Sequence, residues 1–227
     1  MTANVKQVLQ KIYNNEIFND ELYFTGGTAL AHYLNHRISE DIDIVSSSKL
    51  NHRAIISQMS SLGATKIKDE HETALRMAGL FPHEYMIKFV LDNVKVEFFQ
   101  ANRPIQQEIL SKMTFKNFEN STLKILDVKS IAKLKIVALI MRDKSRDLFD
   151  FGTILEEEIF TVDELIDSCT KVDDRLNSLE NIIHFVKSKK EPNDDEAVYL
   201  SETKRVELSF EAIQDKVIGF LGQLAKK

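Results

Sequence analysis

Asp41 and Asp43 stand two apart in Asp41-Ile42-Asp43-Ile44-Val45, downstream of a Gly26-Gly27 pair. Side chains alternate between the faces of a strand, so the two carboxylates share one face, about 7 Å apart along the chain, and the isoleucines share the other. Paired acids on a rigid strand suit Mg²⁺, which takes one or two carboxylates and fills its octahedron with water and substrate phosphates. Read alone, the same pattern is an amphipathic edge strand with two solvated aspartates. The upstream stretch Phe24-Thr25-Gly26-Gly27-Thr28-Ala29-Leu30 favours the ion. Glycines between a strand and a helix let the backbone approach a ligand, and a helix start turns unpaired N–H groups toward an anion. Thr28 is placed to cap that helix or to touch a phosphate oxygen. Without the aspartates, a Gly-Gly at such a junction is more often a plain turn.

A third acid would complete a two-metal site of the kind that clamps both oxygens of an in-line phosphoryl transfer. Glu97 is the candidate, in Val94-Lys95-Val96-Glu97-Phe98-Phe99, where Val94, Val96 and Phe98 form one face and Glu97 projects from the other beside Lys95 and Phe99. An ordinary surface glutamate is an equal reading of that feature. Further on, Lys135 is the one charged residue in the apolar run Leu134–Met141. A buried ammonium needs a carboxylate or phosphate partner. Asp147 and Asp150, three apart, share a helix face. One can orient Lys135 or an incoming base while the other pairs with Arg146 or Arg142. Surface ion pairing is the plainer reading, and it fits Lys144 better than Lys135.

The elements that must position these groups follow from periodicity. Residues 3–16 read as a helix, Glu21–Thr25 as a strand, Thr28–Asn35 as a helix and Asp41–Val45 as a strand. Leu50–Leu62 reads as a helix, followed by strand candidates near 64–68, 74–80, 85–91 and 94–100, with Asp92-Asn93 as a hairpin turn. From about residue 127 the period becomes helical: Val128–Met141, Arg146–Glu157, Thr161–Thr170 with a Thr161/Glu164 capping box, Arg175–Lys187 and Ser201–Leu224. Lys187–Glu196, charged and carrying a proline, is the linker candidate.

The chain of 227 residues, 43% hydrophobic, is long enough for one or two domains with a substantial core. A single cysteine, Cys169, excludes an intramolecular disulfide and a multi-cysteine zinc site, in keeping with a reducing cytoplasm. The N-terminus lacks the apolar region of a secretory signal, and no segment reads as a membrane span. A net charge of −5 argues against a surface built throughout for nucleic acid but leaves room for a local basic region. Lysines and arginines gather at 124–146, which on charge alone is a solvated helix face.

Gly26-Gly27-Thr28-Ala29-Leu30 followed by Arg37-x-Ser39-x-Asp41-Ile42-Asp43 resembles the first motif of the AbiEii/AbiGii toxin-type nucleotidyltransferases, within the polymerase-β-like superfamily. Lys135-x-x-Ala138-Leu139-x-x-Arg142-x-x-x-Arg146-Asp147-x-x-Asp150 resembles that family's downstream helical motif. The resemblance implies an α/β (α+β) nucleotidyltransferase domain over 1–126, with a mixed sheet flanked by helices. It implies a helical domain over 127–227, contributing Lys135 and Asp147/Asp150 to the cleft. It also implies transfer of a nucleoside monophosphate from an NTP to an acceptor hydroxyl with Mg²⁺ or Mn²⁺.

On that resemblance Asp41, Asp43 and Glu97 are metal ligands, with Glu97 standing where aspartate is more common, and Lys135 and Asp150 join them as catalytic groups. Gly26, Gly27, Thr28, Arg37, Ser39, Arg142, Arg146 and Asp147 are the nucleotide-binding set. RNA, at the tRNA 3′ end, is the expected acceptor, with the basic 124–146 segment and Lys187–Lys190 as backbone contacts. An antitoxin is a possible partner, and no membrane association or particular oligomeric state is implied. The other functions weighed are a small-molecule nucleotidyltransferase of the aminoglycoside-modifying kind, which acidic runs such as Glu156–Glu158 would suit, and a non-catalytic nucleotide- or RNA-binding member.

Overall fold

The computed structural model describes residues 1–19, 21–68, 75, 77–193, 198–200 and 207–226. Two compact units emerge. The first comprises Met1–Asn35 and Ser39–Asp127, and the second comprises His36–Ile38 and Val128–Lys227.

The first unit is built on a seven-stranded mixed sheet in the order β3-β4-β5-β2-β1-β7-β6. Its strands are β1 (Leu22–Thr25), β2 (Ile42–Ser46), β3 (Thr65–Lys66), β4 (Met86–Leu91), β5 (Val94–Gln100), β6 (Phe115–Asn117) and β7 (Lys124–Leu126). The central strand β2 runs antiparallel to β1 and parallel to β5. Alternation does the sorting: Ile42, Ile44, Val96 and Phe98 are fully buried on one face, while Asp43 and Glu97 are half-buried on the other. Helices α1 (Ala3–Ile12), α2 (Gly26–Leu34), α3 (His52–Ser61) and α4 (Pro104–Ser111), with short 3-10 turns at Glu16–Asn19 and Pro82–Glu84, accompany the sheet. Each of Val5, Val8, Leu9 and Ile12 on α1 is at most 1% exposed, as their helical spacing requires.

Between β4 and β5, Asp92 and Asn93 both take positive φ (49° and 61°), the conformation a tight two-residue hairpin needs. The strand expected over 74–80 is not formed by its described residues; residues 74 and 76 lie outside them. The Leu80 amide instead closes a turn onto the Leu75 carbonyl at 2.9 Å, so the apolar run there turns rather than extends.

The second unit contains α5 (Val128–Met141), α6 (Ser145–Glu156), α7 (Val162–Thr170), α8 (Leu179–Ser188) and α9 (Phe210–Leu224), with a short antiparallel pair β8 (Val198–Tyr199) and β9 (Glu207–Leu208). Thr161 caps α7 through the reciprocal Thr161/Glu164 box. The long terminal helix begins at Phe210 rather than near 201, because the Ser209 hydroxyl accepts the Ala212 amide and starts the helix there. Residues 201–206 lie outside the described set, as do 194–196 of the linker candidate. Among the described residues no helix is long and apolar enough to cross a membrane.

Candidate active site

The strand-to-helix junction of the first unit is shaped around one carboxylate. β1 ends at Thr25, which lies directly across from Asp43 in the antiparallel register. Gly26 follows at φ +77°, and a Cβ built there would meet Asp43 Oδ2 at 2.0 Å. Only glycine lets the chain turn into α2 with that carboxylate against its Cα. The helix opens at Gly26 with no side-chain cap, so the backbone amides of its first turn are oriented as in an anion site. The Thr25 hydroxyl, on a residue 2% exposed, is buried at this junction and has no hydrogen-bond partner among the described residues.

Thr28 and Ser39 are both buried. The Thr28 hydroxyl meets the Ser39 hydroxyl at 2.8 Å and donates to the backbone carbonyl of Asp41. These two hydroxyls therefore fix the segment that carries Asp41 at the entrance to β2, a more interior role than direct contact with a phosphate.

Glu97 is the Cα partner of Asp43 across the parallel β2–β5 pair, and Lys88 is the partner of Glu97 across β4–β5. Register thus places Asp43, Glu97 and Lys88 side by side on one face, with Lys95 two residues before Glu97. Lys95 Nζ lies 2.6 Å from Glu97 Oε2, and Lys88 Nζ lies 3.2 Å from Oε1. Burial pushes the Glu97 carboxyl up, but its hydrogen bond and charge attraction to Lys95, then Lys88, outweigh this and hold it below the usual range. For Lys95, desolvation disfavours the ammonium, yet Glu97 followed by Asp41 and Asp43 raises its pKa.

Among the described residues no three His, Cys, Asp or Glu side chains converge closely enough to hold a metal ion by themselves. Glu97 is engaged by lysines on both oxygens. Asp43, on the β2 face beside the glycine junction, and Asp41, two residues earlier in the segment that enters β2, are hard oxygen donors that fit a divalent cation completing its shell with phosphate oxygens and water.

The second unit holds a different constellation. Asp150, fully buried on α6, accepts Arg37 Nε at 2.6 Å and Nη2 at 3.0 Å, lies 2.7 Å from Lys135 Nζ, and is 2.8 Å from His36 Nε2. Asp147, one turn earlier, meets Lys135 at 3.3 Å and Arg142 Nε at 2.6 Å. The partner that Lys135 required is thus a pair of aspartates, and Arg142 takes the remaining oxygen. The His36 ring stacks on Phe149 at 5.9 Å. Burial would raise both carboxyls. For Asp150 the charges of Arg37 and Lys135 overcome it and hold the group well below the ordinary range; for Asp147, Lys135 and Arg142 do so. Arg146 is half-buried on α6.

Lys88, Lys95 and His36 carry contacts that residue spacing had not assigned. Lys95 had a signal in its separation of two from Glu97; Lys88 had none, because only strand register brings it there. His36 is signalled only by its adjacency to Arg37.

Residues 7–220 match the family described as nucleotidyl transferase AbiEii toxin, type IV TA system. The chain belongs to this family and is a nucleotidyltransferase toxin of a type IV toxin–antitoxin system, which implies a nucleotide substrate and an antitoxin partner. The uncharacterized protein aq_aa25 of Aquifex aeolicus (strain VF5) is 22% identical over 202 residues, spanning 88% of this chain and 90% of that protein. Among solved structures, JHP933 from Helicobacter pylori shares the fold with a TM-score of 0.51 and 19% identity, over 97% of this chain and 90% of that one. MenT4, the nucleotidyltransferase toxin Rv2826c from Mycobacterium tuberculosis H37Rv, does so with a TM-score of 0.53 and 14% identity, over 99% and 83%.

Proposed function

We propose that the protein transfers a nucleoside monophosphate from an NTP to a hydroxyl of RNA, at the tRNA 3′ end, breaking the α–β phosphoanhydride bond and releasing pyrophosphate and the hydroxyl proton, with Mg²⁺ or Mn²⁺ as cofactor, in the cytoplasm where both substrates reside. The observation that carries this reading is the Asp43 carboxylate packed against Gly26 at the mouth of α2. A divalent cation held by Asp41 and Asp43, with Glu97 as the neighbouring acid, would neutralise charge on the transferring phosphate and activate the attacking oxygen. The amides of Gly26, Gly27 and Thr28 bind the phosphate tail, and the Thr28–Ser39 pair keeps Asp41 in line. Within the second unit, Asp150 orients Lys135 and Arg37 and Asp147 steadies Lys135 and Arg142; with Arg146, these cations take the catalytic and nucleotide-binding roles that the family resemblance gives them.

RNA is favoured over a polycationic small molecule by the exposed Phe115 ring on β6 with Lys116 and Lys124 beside it, backed by the buried Tyr23 of β1. Phe115, 48% exposed, lies 5.2 Å from the Tyr23 ring, and Lys124 Nζ stands over both rings at 5.6 and 5.7 Å. Lys116 lies 5.0 Å over Tyr33. An exposed aromatic ring beside lysines suits a stacked base and a phosphate backbone, whereas a polycationic acceptor calls for acids.

Incubating the protein with each α-labelled NTP, Mg²⁺ and total RNA tests this directly. Label entering a tRNA-sized band supports the assignment. Label entering only a small molecule or the protein itself refutes the RNA acceptor.

A further inference from the structure

We propose that Lys95 is an internal counter-ion of the acidic face, which keeps divalent cations out of the nucleotide-free protein and yields only when a polyphosphate arrives to take over its charge. The inference rests on the assignment of Asp41 and Asp43 to the cation. Lys95 Nζ is 2.6 Å from Glu97 Oε2, Lys88 covers the other oxygen, and Glu97 is in register with Asp43. The ammonium also lies in the field of Asp41 and Asp43. A positive charge held on Glu97, the cross-strand neighbour of Asp43, opposes a second cation on this face, and half-burial weakens the screening that water and salt would otherwise provide.

An NTP changes that balance. Its polyphosphate brings several negative charges to the same face, so Lys95 can exchange a carboxylate for phosphate oxygens without losing its pairing. Cation and nucleotide then bind with positive coupling, each raising the affinity of the other by the same factor. Lys95 thereby acts as a positioning residue whose effect is visible without turnover.

The test is Mn²⁺ binding to the full chain, followed by electron paramagnetic resonance, with and without a non-hydrolysable NTP analogue. Wild type is expected to bind Mn²⁺ weakly alone and roughly tenfold or more tightly with the analogue. Lys95→Met should tighten binding of Mn²⁺ alone by a similar factor and abolish most of the coupling, while Lys95→Arg, which keeps the charge, should behave as wild type. Should Lys95→Met fold poorly, Lys88→Met, at the more exposed second lysine, should give a smaller shift in the same direction. Weak binding by Lys95→Met, equal to wild type, would overturn the proposal. Asp43→Asn separates the two levels: unchanged Mn²⁺ binding in that variant means the cation site itself has been misassigned, whatever Lys95 does.

Discussion

Two groups of aspartates in this protein meet opposite fates. Asp43 is half-buried on the β2 sheet face, pressed against a glycine at a helix mouth, and Asp41 is half-buried in the segment just before that strand. Asp147 and Asp150 are at most 1% exposed, their oxygens taken up by Arg37, Lys135, Arg142 and His36. The first pair is partly exposed to solvent, whereas the second is enclosed and neutralised by the protein's own cations. Partial exposure beside a helix start is what the proposed cation and nucleotide site requires. Full burial with matched charge marks a device that holds Lys135 and Arg37 in fixed orientations.

The contrast is sharpest if the two pairs fail differently. Asp41→Asn and Asp43→Asn should cut nucleotidyl transfer by roughly a thousandfold or more while leaving the thermal midpoint nearly unchanged. Steady-state labelling and calorimetry on the same preparations would show this, and a large loss of stability would count against the comparison. Asp150→Ala should instead destabilise the second unit by about 3–5 kcal/mol, because it strands buried positive charges. Denaturant unfolding measures that loss.

Gly26→Ala sits between these extremes. A Cβ there meets the Asp43 carboxylate at 2.0 Å in a left-handed backbone, so the carboxylate must move. We expect about 1–2 kcal/mol of strain and, from displacement of a reacting group, about a hundredfold loss of transfer. Arg142→Ala should cost least, about 1 kcal/mol or less, since its side chain is 60% exposed although its partner is buried.

Acid should also distinguish the clusters. The carboxyls of Asp150 and Asp147 are depressed by Arg37, Lys135 and Arg142 against the opposing effect of burial. A group whose folded pKa lies below its unfolded value stabilises fully above the unfolded value, about 3.9 for aspartate, and loses that contribution as pH falls through the folded one. Unfolding followed from pH 5 downward should therefore show stability falling below about pH 4, and Asp150→Asn should flatten that fall.

Much of the positioning was readable before any coordinates. The Gly-Gly junction, the two-apart aspartates and the single lysine in an apolar helix each follow from local pattern, and so do the helices from 128 onward, except that serine caps start the last two at Leu179 and Phe210 rather than at Arg175 and Ser201. Strand register was not readable, which is why Lys88 opposite Glu97 went unseen. Pro104–Ser111 was missed as a helix, since its eight residues give barely two turns of periodicity. The short strands β6 and β7, three residues each, offered too little alternation to detect, and with them went the Phe115–Tyr23–Lys124 surface. Thr28 and Ser39 read as ligand contacts because sequence does not reveal that a hydroxyl is already bonded inside.

Crystals grown with Mn²⁺ and a non-hydrolysable NTP, measured at the manganese absorption edge, would test the central claim most directly. The account predicts an anomalous peak about 2.0–2.2 Å from carboxylate oxygens of Asp41 and Asp43, with the phosphate tail at the amides of Gly26 and Gly27. A peak bound elsewhere, with those carboxylates untouched, would contradict it.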